Sequence, residues 1–394
     1  MNGLVQDLRY ALRQLKKSPG FSAVAIGTLG LGIGASTAIF SVVYGVLLRS
    51  LPYYKPDRIV QIWQLNSNGG QMRFDDPNFE DMRDQTHSFQ SMAQMYAIEA
   101  AVSVGKEATR INVAHVSKEF FSVMRIQPVI GRLFAPEEQQ FGAAPVALVS
   151  YSFWKTRLRE TPDLSTAKVL VSNVPVPVIG VLPDGFAFPY NSQIWESREA
   201  SNPRLPSRSA HNYEVVARLR DGASLNQARA DASTIARRLY KQYGAGDMNM
   251  VDAAVLSLRD GLTTGIRPAL LVILAVVGLL LLVACANVMN LSLAHASARA
   301  GELALRSALG VSRWRLVRQF LAEALLLSFL GGCFGMASAS FGVRALRAMA
   351  PGNIPRLNDI SLDLPVLGFA LAVCLTVAAG LGVLTAMRSI SKDP

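Results

Sequence analysis

Residues 269–298 read ALLVILAVVGLLLLVACANVMNLSLAHASA, a run without a single Asp, Glu, Lys or Arg. At about 1.5 Å of rise per residue, a helix of this length exceeds the ~30 Å hydrocarbon core of a bilayer. Three more charge-free runs occupy residues 21–48, 324–343 and 364–387. Each can cross, the longer ones with length to spare for tilt. The runs explain why 51% of the 394 residues are apolar and why mean hydropathy is positive, +0.27, high values for a wholly soluble chain. The fold class is therefore read as membrane α-helical, with four transmembrane helices at residues 21–48, 268–293, 320–343 and 364–388. An α+β domain, residues 49–267, is inserted between the first and second.

A net charge of +11 and a sequence pI near 9.8 suit nucleic-acid binding, but the placement of the charge argues against it. Residues 1–20 carry +3, from Arg9, Arg13, Lys16 and Lys17 against Asp7. The loop at 294–319 carries +4, from Arg299, Arg306, Arg313, Arg315 and Arg318 against Glu302, and the tail adds +1. Four crossings put these three segments on one side, the positive-inside pattern, so both termini and the 294–319 loop are expected in the cytosol. The inserted domain then lies outside, as does the short loop 344–363. Its 25 Lys plus Arg against 22 Asp plus Glu describe a nearly balanced soluble surface, and no nucleic-acid partner is expected. Cys285, Cys333 and Cys374 all fall in expected spans, so the outer domain is held by its core without disulfides. The first run is nearly twice as long as a signal-peptide core and is read as an uncleaved span.

In residues 1–20, Leu4, Leu8, Leu12 and Leu15 fall near one helical face with the basic residues largely off it. That pattern fits an amphipathic helix on the cytosolic leaflet, the other reading being a solvated basic tail. The inserted domain shows short β-branched runs at 59–63, 109–116, 146–149, 168–171, 176–181 and 214–219. Two helices are expected, one from Asn78 through Asp84 toward Met95 and one over 224–243 with Ser224 as N-cap. Asp75 and Asp76 before Pro77 read as turn and helix-start chemistry. Gly27, Gly30, Gly32 and Gly34 in the first span, and Gly331 with Gly335 in the third, are candidate helix-packing residues, because small side chains let backbones approach. Gly380 and Gly382 are similar in the fourth. The alternative is that glycine is simply commoner in membrane helices. Glu323 is expected to pair with Arg318 or Arg315, and Asn287 and Asn290 to bond neighbouring helices.

Several stretches carry a family resemblance: SPGFSAVAIGTLGLGIGASTAIFSVVYGVLLRSLPY at 18–53, GRLFAPEE at 131–138, VALVSYSFWKTRL at 146–158, PVIGVLPDGFAFP at 177–189 and VARLRDGASLNQARADASTIARRL at 216–239. LLLVACANVMNLSLAHASARAGELALRSALGVSRWRLVRQFLAEALLL at 280–327 and PGNIPRLNDISLD at 351–363 continue the series in order. Together they resemble the MacB/FtsX-type ABC transporter permeases, particularly the duplicated orphan permeases of acidobacteria. The resemblance implies a MacB-like periplasmic core domain after the first span and an FtsX-like permease region at 268–394. It further implies a multi-pass protein of the bacterial inner membrane, with residues 49–267 periplasmic, a homodimer or a pairing with a second permease half, and an ABC ATPase partner. The 294–319 loop would dock on that ATPase through a coupling helix, and the matching positions are Glu302, Arg306 and Gly310, flanked by Arg299 and Arg313. Glu302 and Arg306 stand i, i+4 and Gly310 can end the helix; a solvated loop that only obeys topology is the alternative. Members of the duplicated subgroup carry a second half, whereas this sequence runs to Pro394, which leaves a fragment, a split gene or a dimerising single half. The end of the fourth span, GLGVLTAMRSI, also departs from the family's proline-bearing ending.

The sequence has no G-x-x-x-x-G-K-[ST] phosphate loop, so ATP hydrolysis is expected in a partner subunit. His87, His115, His211 and His295 have no metal-ligand spacing and are each read as surface or loop residues. No G-x-S-x-G and no soluble cysteine nucleophile occur. No catalytic site, metal or cofactor is expected. The functional expectation is a permease subunit that transmits motion from a partner ATPase to the outer domain for export or extraction of an unidentified substrate. The alternative is a non-transporting membrane-anchored signalling or scaffold protein that binds a periplasmic partner.

Overall fold

The computed structural model describes residues 2–105, 107–247, 249–298, 313–349 and 363–390. It divides into two compact units, one of residues 1–49 with 265–394 and one of residues 50–264.

Among the described residues of the first unit, four helices are long and apolar enough to cross a membrane. They are TM1 (Pro19–Leu48), TM2 (Arg267–Ser297), TM3 (Val317–Ala345 within the helix Arg313–Met349) and TM4 (Leu364–Thr385 within the helix Leu364–Ile390). An N-terminal helix, Asn2–Lys17, precedes them; Ser18 leaves helical geometry and Pro19 opens TM1, since proline tolerates the first turn where its missing N–H has no partner to lose. Ala25, Leu29 and Ile33 of TM1 form an apolar core with Val288 of TM2, Ala324 and Leu327 of TM3, and Val377 and Leu381 of TM4. Leu15 of the N-terminal helix joins this core, whereas Leu12 is exposed. TM1 closes in a π-helical turn, Tyr44–Leu48, and Arg49 then lies 3.8 Å from Asp363 at the start of TM4. Asn287 and Asn290 are both exposed on TM2, so they are not positioned between the described spans as expected from the sequence.

The second unit is built on one sheet. Its strands are β1 (Ile59–Leu65), β2 (Gln71–Met72), β3 (Phe89–Val104), β4 (Glu107–Val116), β5 (Ile130–Gly131), β6 (Ala147–Val149), β7 (Lys168–Val171), β8 (Val174–Val181), β9 (Ile194–Ser197), β10 (Glu214–Leu219) and β11 (Asp252–Ser257). The order is β11-β1-β10-β3-β4-β9-β6-β8-β5, with β2 beside β1, and β7 bridging β3 and β8. Among the described residues β4–β9 and β6–β8 run parallel and the other pairs antiparallel. The helix Leu225–Asp247 opens where Ser224 Oγ accepts from the Gln227 amide at 3.2 Å, and it places Ala228, Ala232, Ile235 and Leu239 in the apolar core that it shares with β1, β10 and β11.

The helix expected to run toward Met95 is the main correction. It spans Asp76–Gln85, ends at Thr86 in extended geometry, and gives way to β3. Phe89, Met92, Ala93 and Met95 mimic a helical period because both faces of β3 are buried there: Met92 enters one core, Ala93 and Met95 the opposite one. A strand covered on both faces loses the alternation that identifies it. Asp75 is the N-cap, its Oδ1 accepting from the Asn78 amide at 2.8 Å.

Candidate functional site: span contacts and a buried polar seam

At the crossing of TM1 and TM3 the two backbones touch. A Cβ built on Gly34 would lie 2.7 Å from the Gly335 carbonyl oxygen, and one on Gly335 would lie 2.7 Å from that of Gly30. On Gly331 it would meet Leu29 Cβ at 3.0 Å, and on Gly30 it would meet the Gly331 oxygen at 3.1 Å. Gly32 looks toward TM2 instead, with Leu281 Cδ1 at 3.0 Å from its added Cβ. Gly382 abuts Leu321 of TM3, at 2.7 Å, while Gly27 and Gly380 have nothing within 4 Å. Gly27 thus stands outside the contact that the sequence pattern assigned to it. Aromatic stacking ties TM1 to TM4 as well, with Phe40 and Phe369 ring centroids 3.9 Å apart.

At the other end of the bundle Arg318 Nε donates to Asp7 Oδ2 at 2.6 Å, which fastens the N-terminal helix to the start of TM3. Asp7 is buried. Arg318, one of the two arginines expected to pair with Glu323, bonds Asp7, and the side chain of the other, Arg315, lies outside the described residues; Glu323 lines a small cavity with Phe21, Ser292, His295 and Thr385. His295 is not a loop residue: it sits in TM2, stacked on Phe21 at 4.8 Å, with Nε2 3.4 Å from Ser18 Oγ. Of the five expected docking residues, Arg299, Glu302, Arg306 and Gly310 lie outside the described residues, and Arg313 is the first residue of the helix that carries TM3.

The inserted domain holds a second cluster that sequence reasoning missed. Even-numbered residues of β3 share one face, and along it Met92 meets one apolar core and Ala100 and Val102 another. Gln94 and Tyr96 lie between, Tyr96 pairs across with His115, and His115 pairs with Glu196. His115, expected at the surface, is 6% exposed and stacks on Tyr96 at 4.6 Å. Its Nδ1 is 3.9 Å from Glu196 Oε2, too far for a hydrogen bond. Among the described residues His115 Nδ1 and Glu196 Oε1 have no partner. Burial pushes Glu196 up to about 7 and His115 down to about 4, because a charge taken from water loses its hydration.

These shifts have opposite signs. The raised Glu196 gives stability that is present in acid and lost as pH climbs from 4.5 through about 7. The lowered His115 gives stability present above 6.5 and lost as pH falls through about 4. Between about 4.5 and 6.5 the two offset each other. Glu196→Gln removes one side of the balance. Relative to the wild type, this variant is expected to gain about 2 kcal/mol between pH ~5 and pH ~8, as read by thermal unfolding across that range. A constant offset between the two proteins would contradict the burial of an ionisable Glu196.

The MacB-like periplasmic core domain model matches residues 22–235, and the FtsX-like permease C-terminal model matches residues 274–394. The pyoverdine export ATP-binding/permease protein PvdT of Pseudomonas syringae pv. tomato is 27% identical over 271 residues, 68% of this chain and 40% of that protein. The macrolide export ATP-binding/permease protein MacB of Salmonella typhimurium is 27% identical over 290 residues, 72% of this chain and 42% of that protein. The chain thus spans about two fifths of the length of these relatives. The crystal structure of the periplasmic region of MacB from Actinobacillus actinomycetemcomitans covers 58% of this chain and 97% of its own, with 14% identity and a TM-score of 0.40. With one model matching more than half of the sequence and the second following it in order, the chain belongs to the family of MacB-like periplasmic core domain proteins with an FtsX-like permease region.

Proposed function

We propose that this chain is the permease subunit of an ABC-type system in a bacterial inner membrane, both termini cytosolic and the inserted domain periplasmic. A separate ATPase binds and hydrolyses ATP, the segment around Glu302 to Arg313 receives the resulting push, and the spans pass it to the inserted domain. Energy enters as a difference in binding between two conformations, as in any such coupling. The observation that carries the reading is the order of the two matched regions, a MacB-like core domain inserted after TM1 and an FtsX-like region over the remaining spans. Export is the favoured direction because the relatives are named for pyoverdine and macrolide export, and those names also join permease to ATP-binding protein. The Asp7–Arg318 bond supports the mechanical part, since it couples the N-terminal helix to the helix that leaves the proposed docking segment. A working unit of two permease halves, either two copies or a pair of different halves, accompanies this reading.

Docking is tested by co-purification of candidate ATPase subunits with the full chain in lipid nanodiscs. Glu302→Lys and Arg306→Glu are each expected to weaken capture at least about tenfold, the size of a lost charge contact at an interface. Undiminished capture by both variants would remove this segment from the docking surface.

A further inference from the structure

Between β9 and β10 the chain crosses the polar seam as a strap, residues 198–213, made of a short helix, Arg198–Ser201, and irregular backbone. Little of it is buried: Ser201, Pro203, Arg204, Leu205, Pro206 and Ser207 are all exposed. Three arginines, Arg198, Arg204 and Arg208, tie it to the helix Asp76–Gln85, besides a backbone bridge of Tyr213 to Phe74 and the Arg208 guanidinium 3.6 Å over the Tyr243 ring. Arg198 donates to Asp76, whose other oxygen accepts from the Leu205 amide at 2.9 Å. Arg204 forks onto Glu80, with Nε 2.7 Å and Nη2 2.6 Å from its two oxygens, and this bond holds the Glu80 carboxyl below its ordinary range. Arg208 donates to Asp81 Oδ2 at 2.6 Å and to Asn78 Oδ1 at 2.5 Å. Midway, Asn202 donates to the Tyr96 hydroxyl.

The anchoring helix packs through Phe79 and Met82 on the first apolar core, whereas the strap begins at β9, which contributes Ile194 to the other. The clasp therefore joins two patches that, on this face, only the polar seam separates. Its outer members, Arg204 with Glu80 and Arg208 with Asp81, are partly exposed, and such pairs are individually weak and screened by salt. We propose that residues 198–213 are an electrostatic latch that clamps the two patches when closed. Released, it admits water to the seam and lets the two halves of this face flex about β3. The latch does not depend on an ATPase partner and stands or falls apart from the proposed transport role.

Hydrogen–deuterium exchange on the full chain in nanodiscs tests it. Amides of residues 198–213, Leu205 included, are expected to exchange faster at about 1 M than at about 0.05 M salt, while β1 and β10 keep their protection. Glu80→Arg is expected to speed strap exchange at least about tenfold, and adding Arg204→Glu to it should bring the rate back to within about twofold of wild type. Salt-independent exchange, a double variant as fast as the single one, or equal loosening of β1 and β10 would each overturn the latch.

Discussion

Leucine in place of Gly34 or Gly335 is expected to hold TM1 and TM3 apart and to destabilise the span unit by more than about 3 kcal/mol, beyond ordinary core overpacking. The reason is what the new side chain would meet. From Gly34 a Cβ would stand 2.7 Å from a backbone carbonyl oxygen, and from Gly335 it would stand 2.8 Å from the Gly34 nitrogen. No rotamer change moves a backbone atom, so whole helices must shift. Hydrophobic collapse does not compensate in lipid, where helix association depends on close van der Waals packing. Gly27→Leu, built into open space, provides the matched control and should leave stability within about 0.5 kcal/mol. Thermal unfolding in nanodiscs reads both, and a Gly335→Leu protein that melts with the wild type would show that the crossing does not hold the bundle.

In the inserted domain the largest loss is expected from breaking the Asp76–Arg198 pair. Both side chains are over nine-tenths buried, at 3% and 8% exposed. Asp76 also accepts from Gln94 Nε2 at 3.3 Å, and the Arg198 guanidinium lies 4.4 Å over the Tyr213 ring. Removing either partner strands a buried charge, and Asp76→Ala or Arg198→Ala should each cost about 3–5 kcal/mol. Removing both is expected to cost less than the sum of the single changes, since no ion is then left alone. Urea unfolding of the three variants, followed through the buried Trp195, measures this. Additive losses would mean that the two side chains stabilise the fold separately.

The span unit was legible because lipid imposes a simple rule: a helix without charges over twenty or more residues stands out from any soluble segment. Gly30, Gly34, Gly331 and Gly335 sit at close approaches while Gly27 and Gly380 face open space, so glycine in a span does not by itself mark a contact, since it is common in membrane helices for other reasons. The inserted domain was read less completely. Its N-caps at Asp75 and Ser224 obey local chemistry and were found, but β3 was hidden by burial on both faces, and β9, with Glu196 in the middle of IWES, lacks the composition of a strand. The seam and the strap were out of reach for a different reason. Asp76 and Arg198 are separated by 122 residues, Glu80 and Arg204 by 124, Asp81 and Arg208 by 127. Each pair looks like an ordinary surface charge until the sheet brings it together.

One last consequence concerns the 16 residues of β3. At about 3.3 Å per residue this strand is a beam roughly 50 Å long, hydrogen-bonded to β10 near one end and to β7 near the other. A tilt of only about 5° at either end would sweep the opposite tip through about 4 Å. A beam of that length is a lever arm, able to turn a small rotation into a displacement as large as a side chain.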